Sequence, residues 1–228
     1  MISYCTSIKN RLEHFKKASV QTIESLLKLD EKYLYEWCIC DYNSNDGLEE
    51  YIQSLNFNKI VYKKIKFREH FHHSRAKNIS HKMASGDYMV NLDADNIVTP
   101  QFHKEIYKLF KKGANVIWPT TTHLTTGGGS GRIAIDKQTF FKLGGYDENI
   151  VGWGYEDIDL IERSKKLNCN IQIVKDVTIK YIRHSEVYRF AETVEKSREE
   201  SGPRNKKYMD VKLLNNSLIA NVGTTWGV

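Results

Sequence analysis

The stretch SGDYMVNLDADN, residues 85–96, decides the fold class. A Ser-Gly turn is followed by the apolar run Tyr88–Leu92, which ends directly in the acidic turn Asp93–Asn96. A short apolar run between turn-forming residues is typical of a buried β-strand. In α/β sheets, ligands bind beyond the carboxyl ends of the strands. The stretch therefore predicts a strand that carries Asp93 and Asp95 to a binding edge.

Strand-like and helix-like segments alternate before this stretch. The strand-like segments are Ile2–Ser7, Tyr35–Cys40 and Lys59–Lys64. The helix-like segments are Arg11–Leu29, Leu48–Leu55 and Ser74–Met83. Strands separated by helices indicate βαβ units, so we expect an α/β fold with a mostly parallel, mixed central sheet flanked by helices.

Polar loops follow three of these strands. The loops are Ser7–Arg11, Asp41–Gly47 and Asp93–Asn96. Because the carboxyl ends of parallel strands meet at one edge of a sheet, we expect these loops to lie together and to form the functional site.

The segments after residue 115 are shorter. The predicted strands are Val116–Pro119, Ile133–Ile135, Ile171–Val174 and Thr178–Ile182, and the predicted helices are Lys137–Leu143 and Leu160–Leu167. The Thr- and Gly-rich loop Thr120–Arg132 is typical of a lid or a substrate-lining segment. Residues 192–207 are highly charged and contain Gly202-Pro203, which predicts a mobile loop or hinge.

Composition narrows the classes of protein. The 228 residues predict one domain, and a hydrophobic content of 40% excludes a disordered chain. Lys and Arg number 34 against 28 Asp and Glu, and the net charge of +6 suits nucleic acid, an anionic membrane or a phosphorylated small molecule. No apolar run approaches the ~18 residues of a membrane span. The four cysteines lack metal or disulfide spacing and no leader pattern is visible, so we expect a cytoplasmic protein.

Asp93 and Asp95 are separated by one residue, so both carboxylates can approach one cation from an irregular turn. Carboxylate oxygens suit Mg²⁺ or Mn²⁺, particularly when phosphates complete the coordination shell. The same pattern is typical of a solvated turn with a capping Asp. The spacing alone leaves both interpretations open.

The segment Gly152–Asp159 combines an aromatic side chain with several carboxylates. Glycines on both sides of Trp153 leave the indole free to swing, and its face suits a sugar ring. Glu156 and Asp157 would stand at a helix N-terminus, which stabilises anions, so we expect Asp157 to be ionised and available as a general base. The alternative is that these acids only cap and solvate the helix.

Six short motifs occur along the chain: Ser7–Arg11, Ser74–Asn78, Asp93–Asp95, Gly144–Glu148, Gly152–Asp157 and Ile182–Ser185. Together they resemble nucleotide-diphosphate-sugar glycosyltransferases of the GT-A fold, in particular the β-1,4-galactosyltransferases and the bacterial chondroitin-polymerase-like enzymes. The resemblance covers roughly residues 2–190, and several coinciding motifs are more specific than any one of them. It implies the GT-A fold, which has a Rossmann-like nucleotide-binding architecture.

The resemblance implies a metal site and a nucleotide site. Asp95 and His184 would coordinate Mn²⁺ or Mg²⁺, and Asp93 would contact the ribose or a metal-bound water. The nucleotide-binding residues would be Ser7, Arg11, Asp41, Arg75 and Asp93. Among these, Arg11 and Asp41 would hold the uridine, and Arg75 the pyrophosphate side of the donor.

The resemblance also implies a sugar site and a base. Gly131 and Trp153 would line the sugar site, Glu156 would bind acceptor hydroxyls, and Asp157 would be the general base. Two positions depart from the family. Tyr181 stands where vertebrate galactosyltransferases carry a Met metal ligand, which leaves room for water in the metal shell. Ile158 replaces an Asp, so the acceptor contacts are expected to differ.

The function implied by the resemblance is a metal-dependent, inverting glycosyltransferase of bacterial polysaccharide synthesis. It would move galactose or N-acetylgalactosamine from a UDP-sugar to a hydroxyl of a glycan or lipid-linked saccharide. Residues 1–228 would form one domain, with a nucleotide-binding half (1–115), an acceptor and catalytic half (116–190) and a basic loop and tail (191–228).

We expect no nucleic-acid partner, and the positive charge suits peripheral contact with the anionic inner face of a membrane. Two alternatives remain. One is a retaining or differently specific transferase on the same fold. The other is a basic nucleic-acid-binding domain.

Overall fold

Strands and helices alternate through the first half of the chain. The computed structural model describes residues 1–66, 69–120, 131–175 and 180–228. The elements up to residue 91 are β1 (Ile2–Ile8), α1 (Leu12–Leu26), β2 (Tyr35–Asp41), α2 (Leu48–Ser54), β3 (Ile60–Lys64), α3 (His73–Lys82) and β4 (Tyr88–Asn91). The predicted alternation is confirmed in this half.

The second half adds shorter elements. They are β5 (Asn96–Ile97), α4 (Pro100–Lys111), β6 (Val116–Thr120), β7 (Ala134–Asp136), α5 (Lys137–Lys142), α6 (Glu156–Lys166), β8 (Ile171–Lys175), β9 (Lys180–Tyr181), α7 (Glu186–Phe190) and α8 (Arg198–Leu214). Most of the loop predicted at 120–132, and the start of the strand predicted at 178–182, lie outside the described residues.

Seven strands form one sheet in the order β3-β2-β1-β4-β7-β6-β8. The pairs among β1, β2, β3 and β4 are parallel, as is the pair β6–β8, whereas β7 is antiparallel to β4 and β6. The sheet is therefore mixed and mostly parallel with flanking helices, which confirms the predicted fold class.

β1 lies at the centre of the core. It pairs with β2 on one side and β4 on the other, and all its residues except Ser7 are buried. Leu12, Phe15 and Leu26 of α1 pack in the same hydrophobic cluster as the strand, because their spacing keeps them on one helix face. The strand cysteines are fully buried core thiols: Cys5, Cys38 and Cys40.

A small antiparallel ribbon stands at the carboxyl edge. In it, Asn96 of β5 lies opposite Tyr181 of β9, and the Ile182 N–H donates to the Asp95 carbonyl at 2.7 Å. Asp95 immediately precedes β5, and His184 follows β9. The ribbon therefore brings these two residues to the same end of the molecule.

Residues 198–214 form helix α8, so the prediction of a loop or hinge over 192–207 is wrong for this part. Pro203 lacks an N–H and removes only one intrahelical hydrogen bond. The helix is held by packing, because the Ser201 hydroxyl accepts from the Trp153 N–H at 3.1 Å and donates to the Trp153 carbonyl at 2.9 Å. Tertiary contact thus overrides the low helix propensity of Gly202-Pro203.

Helix α4 is an element that the sequence prediction omits, although its start carries a clear signal. The Thr99 hydroxyl accepts from the Phe102 N–H at 3.1 Å, and Pro100 occupies the first turn. Phe102, Ile106 and Phe110 form its buried face. None of the described helices combines the length and apolar composition that a membrane-spanning segment requires.

We predict that Gly144→Ala destabilises the fold strongly. Gly144 has a φ of +72°, and a Cβ at this position would lie 2.1 Å from the Ala220 carbonyl oxygen. A left-handed conformation and a backbone clash together should lower the free energy of unfolding by about 2–4 kcal/mol. Urea denaturation followed by circular dichroism measures this loss.

Gly113→Ala is the matched control. Gly113 has a φ of +89°, but a Cβ there would meet nothing within 4 Å. Only the backbone penalty of about 1–2 kcal/mol should remain. Equal losses in the two variants would contradict the close packing of Gly144 against Ala220.

Candidate active site

A cleft of ≈ 670 Å³ opens at the carboxyl edge of the sheet. It is built from the ends of β1 and β4, the start of α6 and the segment after β9. The predicted site residues that line it are Ser7, Arg11, Asp93, Asp95, Gly131, Trp153, Glu156, Asp157 and His184. Residues up to 177 positions apart in the sequence thus meet in one place, as the strand order predicts.

Gly131 lies between two carboxylates of the cleft. A Cβ on Gly131 would stand 3.0 Å from Asp157 Oδ2 and 3.4 Å from Asp93 Oδ2. The Asn91 amide, at the end of β4, donates to Asp93 Oδ1 at 3.2 Å and to the Gly131 carbonyl at 2.8 Å. A side chain at position 131 would therefore fill the space between Asp93 and Asp157.

Asp95 and His184 face each other across the β5–β9 ribbon. The distance from Asp95 Oδ2 to His184 Nε2 is 3.3 Å, and both side chains are largely buried. Hydrogen bonding to Asp95 raises the pKa of His184. The Asn96 amide fixes the other carboxylate oxygen, donating to Asp95 Oδ1 at 2.7 Å.

The chemistry of this pair fits one part of a metal shell. Among residues 1–66, 69–120, 131–175 and 180–228, no group of three His, Cys, Asp or Glu side chains converges on one point. Asp95 and His184 together offer an oxygen and a nitrogen donor to the same space. Mn²⁺ and Mg²⁺ accept such donors and take further ligands from phosphate and water. Tyr181 also lines the cleft.

Lys77 of α3 is buried beside the acidic start of α6. Its ammonium donates to Glu156 Oε1 at 2.9 Å and to Asp157 Oδ1 at 2.8 Å. The Lys77 side chain is 5% exposed, and the Tyr146 ring lies 5.1 Å from its nitrogen. One buried cation therefore fixes both carboxyl groups.

The environment separates the pKa values of the two carboxyl groups. Burial alone would raise the pKa of Glu156, but the Lys77 ammonium outweighs burial and lowers it to about 2. Burial raises the pKa of Asp157 to about 8, with help from the charges of Glu156 and Asp93 and against the effect of Lys77. Glu156 thus carries the permanent charge, and Asp157 holds the exchangeable proton.

This result corrects the expectation that the helix N-terminus keeps Asp157 ionised. The helix dipole is worth about 0.3–1 kcal/mol for an exposed group. Burial and two neighbouring carboxylates act more strongly and in the opposite direction. Asp157 therefore begins to ionise near neutral pH, which is the range that suits a general base.

Trp153 is held rather than free to swing. Its backbone is bonded on both sides to Ser201 of α8. The guanidinium carbon of Arg198 lies 4.4 Å over the indole ring, and that of Arg189 lies 5.9 Å away. The Trp153 indole, whose face the sequence predicts to bind a sugar ring, is covered by the Arg198 guanidinium in this structure.

Arg11 lies against α7 at one wall of the cleft. Its guanidinium stacks on the Tyr188 ring at 4.0 Å and donates to the Arg189 carbonyl at 3.1 Å. The ring of His14 lies 4.5 Å from Tyr188 and 5.9 Å from His184. The loop after β1 is thus connected to the segment that carries His184.

Asp41 is not brought to the cleft. It is fully buried, and its carboxylate accepts from the Ser44 N–H at 2.7 Å and from the Tyr62 hydroxyl at 2.8 Å. Asp41 therefore organises the loop after β2, and the predicted contact with uridine has no support from its position.

Arg75 also points away from the cleft. Its Nε donates to Glu148 Oε2 at 2.9 Å. Arg75 and Lys77 are two residues apart on one helix, so they face opposite sides. The predicted pyrophosphate contact of Arg75 is therefore not supported, and Lys77 is the cation of α3 that reaches the cleft.

The three histidines within residues 70–73 have different surroundings in the structure. His70 is exposed beside Glu69. His72 caps α3, where its Nδ1 accepts from the Arg75 N–H at 3.3 Å. His73 lines the cleft, and burial lowers its pKa to about 4, so it is neutral at pH 7.

Three residues of the site escape the sequence reasoning: Lys77, Asn91 and Arg132. A signal for Lys77 exists in the composition of α3. Ala76 and Ile79 are the apolar residues of this helix, yet seven of its ten residues are buried. A helix with so few apolar residues that lies in the core must bury polar side chains, and these need hydrogen-bond partners. Asn91 and Arg132 carry no comparable signal.

Two family models match the chain. The model of the glycosyl transferase family 2 matches residues 4–156, and the model of the glycosyltransferase-like family 2 matches residues 116–208. The chain belongs to glycosyl transferase family 2. No curated protein matches the chain.

Solved structures show the same GT-A fold. S. aureus TarS 1–349 in complex with UDP is 15% identical, with a TM-score of 0.66, over 94% of this chain and 65% of that one. The same protein in complex with UDP-GlcNAc is 16% identical, with a TM-score of 0.69, over 94% of this chain and 66% of that one. The mannosyltransferase PcManGT from Pyrobaculum calidifontis, in complex with GDP-Man and Mn²⁺, is 13% identical. Its TM-score is 0.64, over 94% of this chain and 70% of that one. The chain thus spans just under two thirds of the length of the TarS fragment.

We predict that Lys77→Met destabilises the chain in a pH-dependent way. Without the ammonium, the Glu156 carboxylate is buried beside Asp157 with no counter-charge, which should cost about 3–5 kcal/mol at pH 7.5. In the wild type, the low pKa of Glu156 contributes stability that is lost only as the pH falls from about 4 towards 2. In the variant burial dominates and both groups take up protons earlier.

The difference in unfolding free energy between wild type and Lys77→Met should therefore shrink between pH 7.5 and pH 5. Urea denaturation at both pH values measures it. Lys64→Met is the control, because Lys64 bonds Glu49 at 2.9 Å in a partly exposed pair. It should cost about 0–1 kcal/mol. A loss for Lys77→Met that is equal at both pH values would contradict the assigned role of Lys77.

Proposed function

We propose that this chain is a metal-dependent, inverting glycosyltransferase that uses a UDP-sugar and Asp157 as its general base. One observation carries the proposal. The Lys77–Glu156–Asp157 cluster and the group formed by Asp93, Asp95 and His184 line one cleft, with Gly131 between them. A base and a cation site on opposite sides of a small space suit the transfer of a sugar from a diphosphate to a hydroxyl.

The acceptor hydroxyl would bind between Glu156 and Asp157. Glu156 stays ionised, so it accepts a hydrogen bond from the acceptor and orients it. Asp157 takes the hydroxyl proton as the bond to the sugar forms. Lys77 holds both carboxylates in place during this transfer.

The donor diphosphate would lie on the other side, near Asp93, Asp95 and His184. Asp95 and His184 would hold the cation, which supplies Lewis-acid stabilisation to the leaving diphosphate when it is bound. Arg11 would support the nucleotide from the neighbouring wall, where its guanidinium is already fixed by Tyr188.

A single displacement follows from one base placed opposite the leaving group. Attack from the face opposite the diphosphate inverts the anomeric centre, so an α-linked donor gives a β-linked product. Asp157 serves as that base, and the proposal needs no carboxylate to attack the anomeric carbon and form a covalent intermediate.

The donor and the acceptor are part of the proposal. The resemblance to galactosyltransferases favours UDP-galactose or UDP-N-acetylgalactosamine. The ligands of the structural neighbours, which are UDP, UDP-GlcNAc and GDP-Man, support a nucleotide-sugar in general. We propose a hydroxyl of a glycan or of a lipid-linked saccharide as acceptor, and the net charge of +6 suits work at an anionic membrane surface.

We predict that Asp157→Asn abolishes transfer and leaves donor binding intact. The amide keeps the shape of the side chain but cannot take the hydroxyl proton, so kcat should fall by about 10²–10⁴-fold. Calorimetric titration with UDP and Mn²⁺ should give a Kd close to that of the wild type. Glu162→Gln is the control on the same helix, since Glu162 bonds only to Lys165 in the described contacts. Retained turnover in Asp157→Asn would overturn the assignment of the base.

The pH profile tests the same residue independently. Because the pKa of Asp157 is raised to about 8, the ionised base increases as the pH rises from 6 to 9. We expect kcat/KM of the wild type to rise through this range and to level off above it. The residual activity of Asp157→Asn should lack that rise.

A panel of nucleotide sugars identifies the donor without knowledge of the acceptor. We expect slow hydrolysis of UDP-galactose or UDP-N-acetylgalactosamine in the presence of Mn²⁺, because water can replace the acceptor hydroxyl. Release of the nucleotide diphosphate from each donor is the measurement. Preferred hydrolysis of a GDP-sugar would contradict the UDP-sugar assignment and leave the family assignment untouched.

A further inference from the structure

Arg132 is a buried arginine for which the proposed reaction has no direct use. Its side chain is 2% exposed, and it does not belong to the residues that line the cleft. Its backbone is fixed on both sides, because Asn91 donates from its side chain to the Gly131 carbonyl and from its N–H to the Ile133 carbonyl. The guanidinium therefore has one defined direction, behind the Asp93–Asp95 turn.

The contacts of Arg132 lead to the predicted cation site. Its Nε donates to Asn96 Oδ1, and the Asn96 amide donates in turn to Asp95 Oδ1. Its Nη2 donates to the Lys180 carbonyl at 3.3 Å. Asn96 belongs to β5 and Lys180 to β9, so one guanidinium joins the two strands that carry Asp95 and His184.

The charge of Arg132 acts on the same residues. Burial lowers its pKa to about 10, and the charges of Asp93 and Asp95 oppose this effect. Arg132 therefore stays protonated at neutral pH. A positive charge on the far side of the turn reduces the repulsion between two carboxylates that face the cleft.

Packing of the hydrophobic core alone does not explain why this buried residue is an arginine. Nη1 of Arg132 is buried and has no hydrogen-bond partner among the described residues. An unsatisfied buried donor costs free energy that an apolar side chain of similar volume would not. The contacts that Arg132 does make all lead towards Asp95 or the β5–β9 ribbon.

We propose that Arg132 is a positioning residue that preforms the cation site. It holds Asp95 through Asn96, and it holds the ribbon that presents His184 through the Lys180 carbonyl. The proposal rests on the metal-dependent function proposed above. It adds that the affinity for the cation depends on a residue that touches neither the cation nor the nucleotide.

The test measures Mn²⁺ binding to the protein–UDP complex by electron paramagnetic resonance, with no turnover involved. Arg132→Met and Asn96→Ala should each raise the Kd for Mn²⁺ by about 10- to 100-fold, the usual loss when a group that holds a metal ligand is removed. Because both substitutions act through Asp95, the Kd of the double variant for Mn²⁺ should be little higher than that of the weaker-binding single variant. Arg132→Lys keeps the charge but not the forked contacts, so its Kd for Mn²⁺ should lie between those of the wild type and Arg132→Met.

Arg163→Met is the matched control for the loss of a buried arginine. Arg163 is fully buried and donates to Asp159 at 2.7 Å and to the Leu143 and Gly145 carbonyls, in a different hydrogen-bond network. It should lower Tm, yet its folded fraction should bind Mn²⁺ with a Kd within about twofold of the wild type.

The outcomes separate the two proposals. If Arg132→Met folds and binds Mn²⁺ as the wild type does, the positioning role is overturned and the proposed function stands. If Arg132→Met does not fold, the Asn96→Ala and Arg132→Lys variants decide in the same way. If the wild type with UDP takes up no Mn²⁺, the metal-dependent function is overturned, and the role of Arg132 with it.

Discussion

The contact between the Lys77 ammonium and the carboxylates of Glu156 and Asp157 is the interaction on which the site depends. It joins α3, which packs on the parallel half of the sheet, to the start of α6 in the other half. A buried pair of this kind adds little stability by itself, but it is costly to leave incomplete. The chain therefore has one low-energy way to place the two acids, and the position of the cleft follows from it.

Charge compensation repeats on the opposite side of Gly131. There, Arg132 lies behind Asp93 and Asp95 as Lys77 lies behind Glu156 and Asp157. Each acidic pair faces the cleft and has its cation on the protein side. A net charge of +6 for the whole chain is thus compatible with a cleft wall formed by carboxylates.

Much of this arrangement could be predicted from the sequence, because periodicity and strand ends are local properties. The alternation of segments predicts the sheet, and the position of Asp93 and Asp95 after an apolar strand predicts the binding edge. The placement of Arg75 and Asp41 could not be predicted, because it depends on which face of α3 and which side of the loop after β2 meets the core. The charged segment 192–207 misleads for a similar reason, since helix α8, which begins within it, is stabilised by contacts with a turn about fifty residues away.

The guanidinium over Trp153 has a consequence for how a sugar would be recognised. A sugar ring that stacks on the indole face under Arg198 would displace that guanidinium. Its binding energy there would be the difference between sugar–indole and guanidinium–indole stacking. Selectivity among sugars can then arise without any direct polar contact to the ring, because only a ring that covers the indole better than the arginine does will replace it.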